Sequence, residues 1–367
     1  MTTLSREYVL AINPGSTSTK LAIFKEGQKQ EEVIRHPVTE LQKFRQIRDQ
    51  IDYRKEIIED FLERANFDGN GCAAVVGRGG LLQPVEGGTY SVNEAMLEDL
   101  REERYGAHAS NLGAMIAAPL AQRWGCPAYI VDPVVVDELN PIARISGLAG
   151  IQRRSVGHVL NQRSVARKAI EQLGKTYSES RLIVAHMGGG ISIGVHDHGR
   201  IIEMVNGIDG EGPYSPERPG SLPLADFAKK IVTEKLSKPE IRRLLAGDGG
   251  LKSYLGETDL RKLVEEMENG DERVRYYLDG MSYQLKQSIG SMAAVLDGNV
   301  DAIVLTGGIM YADYIREKLQ KDLSWIAPVL AFPGEREMEA LYEGAIRVLN
   351  GEEEAKTYQV NREGAIE

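Results

Sequence analysis

Twice in this chain a short apolar strand runs into a turn of small residues and resumes at once as a second apolar strand. The first copy is Tyr8-Val-Leu-Ala-Ile12 reaching Asn13, the turn Pro14-Gly15-Ser16-Thr17-Ser18, and Leu21-Ala-Ile-Phe24 after Lys20. The second is Leu182-Ile-Val-Ala185 reaching His186, the turn Gly188-Gly189-Gly190, and Ile191-Ser-Ile-Gly-Val195. Each reads as a hairpin with a small, polar, flexible tip. A unit repeated once over so long an interval points to two similar lobes and not to a solenoid, whose period is far shorter. The length of 367 residues agrees, since a domain runs to roughly 100–200 residues.

Further Val- and Ile-rich runs bounded by turn residues predict strands at Ala73–Val76, Ala128–Val131, Ile201–Val205, Ala302–Leu305 and Val329–Phe332. Amphipathic stretches predict helices at Ile47–Arg64, Glu94–Glu103, Asn111–Arg123, Arg163–Leu173, Leu224–Lys235, Asp259–Glu268, Asp271–Leu296 and Glu337–Leu349. Thr258 is the expected cap of the helix from Asp259, and Asn269-Gly270 its stop. Strands alternating with helices imply an α/β fold with mixed sheets. The boundary is expected near Gly147–Arg153, giving lobes 1–150 and 151–339, with residues 340–367 packing back on the first. The tail after Leu349 is charged and lacks apolar periodicity, so it is expected to be loosely ordered.

Composition excludes several classes. Acidic residues outnumber basic ones, 54 to 44, for a net charge of −10, which disfavours a general nucleic-acid binder. The two cysteines, Cys72 and Cys126, form no CxxC pair and have no nearby His cluster, so neither a disulfide framework nor a zinc site is expected. No apolar stretch approaches membrane-spanning length, and the run at Tyr8–Ile12 is too short for a signal core. A cytoplasmic globular protein is the expectation.

Three segments can carry phosphate chemistry. Asn13-Pro-Gly-Ser-Thr-Ser-Thr-Lys20 lacks the Gly before Lys and leads into a strand, so the P-loop context fails. Its hydroxyls and backbone N–H groups can still face a phosphate, although an ordinary polar turn explains it equally well. Three consecutive glycines after His186 cost backbone entropy and are tolerated where a backbone approaches a ligand closely. Leu305-Thr-Gly307-Gly308 is a strand running into a Gly pair, a common strand-to-helix turn that can also admit a nucleoside. Arg78 within Val76-Gly-Arg-Gly-Gly80, Asp132, His108, His158, and Arg218 within Pro216-Glu-Arg-Pro219 lie near strand ends and loops. Singly each reads as a solvated or capping residue. Together they supply two Arg for anions, an acid for Mg²⁺ and a His donor.

In order and combination these segments resemble the acetokinase family and, within it, the butyrate-kinase branch of the acetate and sugar kinase/Hsp70/actin superfamily. The match covers nearly the whole chain, up to about Leu349. It rests on Asn13–Lys20, Ile183–Ile193, Ile303–Gly308 and Val131-Asp-Pro-Val-Val-Val-Asp137. Where acetate kinases have Asn this chain has Gly189, and where they have His it has Gln162. The resemblance implies two similar actin-like (ribonuclease H-like) lobes with mixed sheets around a nucleotide cleft. It implies reversible ATP-dependent phosphorylation of a short-chain fatty acid, butyrate or isobutyrate, with acetate or propionate as the alternative.

It also implies site roles. ATP phosphates would lie near Gly188, Gly189 and Gly190, and adenosine near Gly307 and Gly308. Mg²⁺ would be held by Asp132 and Glu337, with Glu335 and Glu339 as close rivals of the latter. Arg78 and Arg218 would hold the carboxylate and the γ-phosphate. His158 would donate to the phosphoryl group, and Asn13, Ser16, Ser18 and Lys20 would orient the first hairpin. His108 and His186 would support them. Gly80, Ala107 and Gly157 replace the larger Val, Leu and Phe of acetate kinases and predict a roomier acyl pocket beside His108 and His158. A homo-oligomer, at least a dimer, is expected. A sugar kinase, which needs an Asp base, an actin-like or chaperone-like ATPase, and a nucleotide-binding regulator without turnover are the competing classes.

Overall fold

The computed structural model describes residues 7–207 and 210–360. Along the chain the strands are β1 (Tyr8–Pro14), β2 (Ser18–Lys25), β3 (Gln28–Arg35), β4 (Cys72–Arg78), β5 (Thr89–Ser91), β6 (Ala128–Val131), β7 (Arg181–Met187), β8 (Ile191–Asp197), β9 (Arg200–Val205), β10 (Ala302–Gly307), β11 (Val329–Pro333) and β12 (Lys356–Thr357). The chain divides into two compact units, Met1–Val136 with Arg336–Glu367, and Asp137–Glu335. The division falls upstream of Gly147–Arg153 because that stretch is tied into the second unit. Arg153 ion-pairs with Glu203 at 2.8 Å and Glu211 at 3.1 Å, and just upstream Asn140 N donates to Ile202 O at 3.0 Å.

Among the described residues the first unit holds one sheet in the order β12-β5-β6-β4-β1-β2-β3 and the second a sheet in the order β11-β10-β7-β8-β9. In each, an antiparallel meander of three strands (β1 to β3, β7 to β9) continues through two parallel strands (β4 and β6, β10 and β11). The repeated hairpin of the sequence is therefore one end of a repeated α/β sheet. β4, β7 and β10 are buried almost throughout, as strands covered on both faces must be, and they read as continuous apolar runs.

The polar strand β3 has no such signal. It is an edge strand whose residues alternate between exposed and half-buried only near its end. The short helices Lys238–Leu245 and Gly250–Leu255 and the helix Asp313–Leu323 likewise went unpredicted. The helix from Leu260 is capped by Asp259, whose side chain accepts from Arg261 N, and not by Thr258. Helix Val159–Gln172 begins upstream of Arg163, with His158 at its N-cap.

In the first unit, helices Ile51–Arg64 and Asn111–Trp124 bury Ile58, Phe61, Leu112 and Ile116 against Leu10, Ile12, Leu21 and Ile23 of β1 and β2. A Cβ on Gly77 would lie 2.4 Å from the Gly113 backbone, so strand β4 and the start of helix Asn111–Trp124 meet backbone to backbone, and only glycine permits it. The expectation of a loosely ordered tail is corrected. Strand β12 pairs with β5, and Tyr358 is buried with its hydroxyl donating to Asp99 Oδ2 at 2.7 Å. One well-placed aromatic ring anchors a segment that has no periodicity to announce it. Residues 361–367 of that tail lie outside the described residues. Among the described residues no helix is long and apolar enough to cross a membrane.

Candidate active site

In the first unit the strand ends converge on Glu337. Asn13 and Lys20 face each other across β1 and β2, Arg78 ends β4, and Glu337 opens helix Glu337–Leu349. Asn13 Nδ2 donates to Glu337 Oε2 at 2.8 Å, Arg78 is ion-paired with Glu337 Oε1, and Lys20 Nζ lies 3.8 Å from Oε2. Burial alone would raise the Glu337 carboxyl. The charges of Arg78 and Lys20, with hydrogen bonds from Arg78 and Asn13, outweigh burial and hold it below the ordinary value. The helix N-terminus acts in the same sense. Of the three acids considered, Glu337 is the one that meets this cluster. Glu339 pairs with Lys29 at 2.7 Å, and Glu335 belongs to the second unit, 4.0 Å from His186 Nε2.

Behind the first hairpin is a buried Arg54 that sequence reasoning missed. Its NH1 donates to Ser18 O at 3.1 Å and Thr19 Oγ1 at 2.9 Å, and its Nε and NH2 reach Gln50 Oε1. His36 contacts Thr19 Oγ1 at 2.8 Å. Burial, and then the Arg54 charge, push the His36 ring down to about 4. Ser16 is exposed at the tip, and Gly15 N donates to Ser18 O at 2.7 Å to close the turn. Asp132 follows β6 with φ 38°, buried, its Oδ1 accepting from Gly88 N at 2.8 Å. His108 hydrogen-bonds Ser110 Oγ at 2.8 Å, and desolvation, followed by the charge of Arg78, lowers its pKa.

In the second unit the candidate residues gather around the β7–β8 hairpin. Gly188 N donates to Gly190 O at 3.0 Å and Ser215 Oγ to Gly189 O at 2.5 Å. A Cβ on Gly190 would lie 2.1 Å from Arg218 NH1, so that glycine makes room for the guanidinium. Arg218 NH1 donates to Gly207 O at 3.2 Å, its Nε is buried without a hydrogen-bond partner, and among the described residues no carboxylate pairs with it. Arg78 and Arg218 thus differ: the first has its charge met and the second does not. His158 stacks on the buried His186, ring centroids 3.8 Å apart and planes at 7°. His158 Nδ1 lies 3.0 Å from Ser192 Oγ, and His186 Nδ1 accepts from Asn161 Nδ2 at 2.9 Å.

Gly307, at φ 95°, exchanges hydrogen bonds with Gly334, and a Cβ there would strike Met187 O at 2.2 Å. Gly188, Gly189, Gly308, Ile309 and Tyr311 line a cavity of about 730 Å³, within the range of small-molecule pockets. Gly307 is not among the residues that line it.

At two of the three positions behind the expected roomier acyl pocket, the space beside the glycine is occupied. A Cβ on Gly80 would meet Asn111 Cα at 2.6 Å, so a helix end already fills that space. At Gly157 the space holds Met204, whose sulfur would lie 2.7 Å from a Cβ. Ala107 is exposed. Neighbours distant in sequence occupy the space beside these two glycines, which comparison position by position does not reveal.

The family model described as the acetokinase family matches residues 148–339. A protein described as "Probable butyrate kinase" from Enterococcus faecalis is 57% identical over 353 residues, 96% of this chain and 98% of that protein. Another of the same description, from Clostridium botulinum, is 46% identical over 95% of this chain and 99% of its own length. The fold is similar to the crystal structure of Porphyromonas gingivalis acetate kinase, with a TM-score of 0.76 and 19% identity over 94% of this chain and 100% of that one. A propionate kinase from Francisella tularensis gives 0.68 and 18% over 92% and 98%. These structural likenesses concern the fold alone, whereas the family match and the two long sequence relationships make the chain a member of the acetokinase family.

Proposed function

We propose that the protein transfers the γ-phosphoryl group of ATP to the carboxylate of a short-chain fatty acid, butyrate or isobutyrate, giving the acyl phosphate and ADP reversibly. The observation that carries the reading is an arginine, Arg218, with no carboxylate partner among the described residues, held against Gly190 at the β7–β8 tip. Relatives at 57% and 46% identity supply the choice of acid. Acetate or propionate is the second reading, and the filled spaces at Gly80 and Gly157 remove one argument against it.

A carboxylate is a nucleophile at neutral pH, because carboxylic acids ionise near pH 4. No general base is required. The work is to hold two anions together and to offset charge on the moving phosphoryl group. Arg218 would take the γ-phosphoryl charge, and His158 would donate to an equatorial oxygen. Arg78, oriented by Glu337 and Asn13, would hold the acid. Lys20, Ser16 and Ser18 would shape the first hairpin, and His108 and His186 would support the rings and charges beside them. The phosphates would lie along Gly188–Gly190 and adenosine in the cavity at Gly308.

Asp132 and Glu337 offer the hard oxygen donors that Mg²⁺ takes. The Glu337 oxygens are already engaged by Arg78, Asn13 and Lys20, which suits a contact through water. Among the described residues no group of three or more acidic, His or Cys side chains stands ready for a metal, consistent with an ion carried in by phosphates. When bound, Mg²⁺ would neutralise charge on the phosphate chain. Exposed Leu224 and Val232 on a helix with no buried residues support the expected homo-oligomer.

The test is hydroxamate trapping of acyl phosphate across acetate, propionate, butyrate, isobutyrate and valerate, with glycerol and sugars as controls. A maximum kcat/KM at butyrate or isobutyrate is expected. A maximum at acetate refutes the choice of acid, and phosphorylation of the alcohols alone refutes the reaction class.

A further inference from the structure

Behind His158 runs a chain of buried side chains that the proposed mechanism does not use. Tyr177 OH lies 2.8 Å from His196 Nδ1, His196 Nε2 lies 3.2 Å from Gln162 Oε1, and Gln162 Nε2 lies 2.9 Å from Ser192 Oγ. Ser192 Oγ in turn lies 3.0 Å from His158 Nδ1. Tyr177, His196, Gln162 and Ser192 are all at most 5% exposed. Gly194 makes room for the amide, since a Cβ there would lie 2.4 Å from Gln162 Oε1.

Two groups of fixed character set the directions in this chain: a carbonyl oxygen that cannot donate and a backbone N–H that cannot accept. Gln162 Nε2 lies 3.2 Å from the Ser192 carbonyl oxygen. A carbonyl only accepts, so the amide must turn its NH₂ toward Ser192 and its Oε1 toward His196. His196 must then carry its proton on Nε2 to donate to Oε1, which leaves Nδ1 to accept from the Tyr177 hydroxyl. At the other end, Ser192 Oγ accepts from Gln162 Nε2 and from the His158 backbone N–H at 3.2 Å. Both lone pairs are used, so its own proton goes to His158 Nδ1. His158 therefore holds its proton on Nε2.

We propose that Gln162 and His196 are positioning residues that fix His158 as the Nε2–H tautomer, so that it meets the phosphoryl oxygen as a donor. The role rests on the phosphotransfer reading for its purpose, but the tautomer does not. His196 can serve because it stays neutral: complete burial, and then the charges of Arg163 and Arg167, lower its pKa well below the ordinary value. Those two guanidiniums flank the Tyr177 ring at 5.7 and 4.7 Å. A charged His196 would have two donors and would turn the Tyr177 hydroxyl from donor to acceptor. Gln162 suits its place because one planar group accepts on one side and donates on the other.

Two measurements test this. The chain has six histidines, so long-range ¹H–¹⁵N spectra of ¹⁵N-histidine-labelled protein can be assigned with single His→Gln variants. At neutral pH and without any substrate, His158 and His196 are expected to show a bare Nδ1 and a protonated Nε2. A proton on Nδ1 of either ring overturns the assignment. The second measurement is kcat of Gln162→Glu between about pH 6 and pH 9, relative to the parent. A protonated glutamic acid keeps one acceptor and one donor, whereas an ionised one has no donor for Ser192. The ratio is expected to fall with rising pH, or to be lowered throughout, by on the order of ten- to a hundredfold. KM values are expected to stay within a few-fold. A variant matching the parent at pH 9 removes the positioning role even if the tautomers are as stated. A parent that makes no acyl phosphate would instead sink the phosphotransfer reading and leave the tautomers standing.

Discussion

A methyl group added at Gly190 would perturb Arg218 without altering its charge. The new Cβ would lie 2.1 Å from Arg218 NH1 and 2.6 Å from Cζ. To restore ordinary contact near 3.4 Å the guanidinium must retreat by about 1.3 Å. It can do so, because it is the far end of a flexible side chain, so Gly190→Ala is expected to fold. A charged donor displaced by about an ångström at the reacting centre loses on the order of a hundredfold in rate, or roughly 2.7 kcal/mol. Arg218→Ala is expected to lose about as much, on the order of 3 kcal/mol. Both substitutions act through one group, so the double variant should be no slower than Arg218→Ala alone. Initial rates of acyl-phosphate formation by the hydroxamate assay, with far-UV circular dichroism on each variant, make the measurement. Activity of Gly190→Ala within a few-fold of the parent, or costs that add in the double variant, would refute the argument that the glycine exists for the arginine.

Arg78 differs, because removing it takes the nearest charge from the buried Glu337 carboxylate and leaves it only Asn13 and Lys20. Arg78→Ala is expected to lower stability by roughly 1–3 kcal/mol as well as rate, and Glu337→Gln in that background should restore melting temperature but not turnover. A single variant as stable as the parent would contradict the ion pair's structural share. Burial and the Arg54 charge keep His36 neutral down to about 4, whereas an unfolded histidine takes its proton near pH 6.5. Stability is therefore complete above about pH 6.5 and falls as the pH drops toward 4, by up to about 1.4 kcal/mol per pH unit for this one group. Chemical denaturation of the parent and of His36→Gln across that window checks the sign; equal pH slopes would exclude His36 as the cause. Gly157→Phe would strike the Met204 sulfur and Ser192 Cβ, so it is expected to lower kcat for every acid instead of shifting the optimum toward acetate. A clean shift to shorter acids in the substrate panel would restore the pocket argument.

Much of the architecture was written locally. Strands buried on both faces must be apolar along their length, so β1, β4, β7 and β10 could be found from composition alone. The two hairpin tips announced themselves because small residues are needed where strands turn in so few positions. Helix Glu337–Leu349 was legible from its spacing, since one face must be buried. What stayed hidden depends on partners far away in the chain. The edge strand β3 draws half its definition from β2, and Tyr358 is held by Asp99, 259 residues away. Arg78 and Arg218 looked alike in sequence, yet Glu337 neutralises one and no described carboxylate the other. Glycines at 80 and 157 looked like open space until Asn111 and Met204 filled it. Local sequence determined which segments would be strands, helices and flexible tips, because propensity and burial act over a few residues. Only the tertiary structure decided charge pairing, hydrogen-bond partners and free volume, because each is set by whatever atoms the fold brings within a few ångströms.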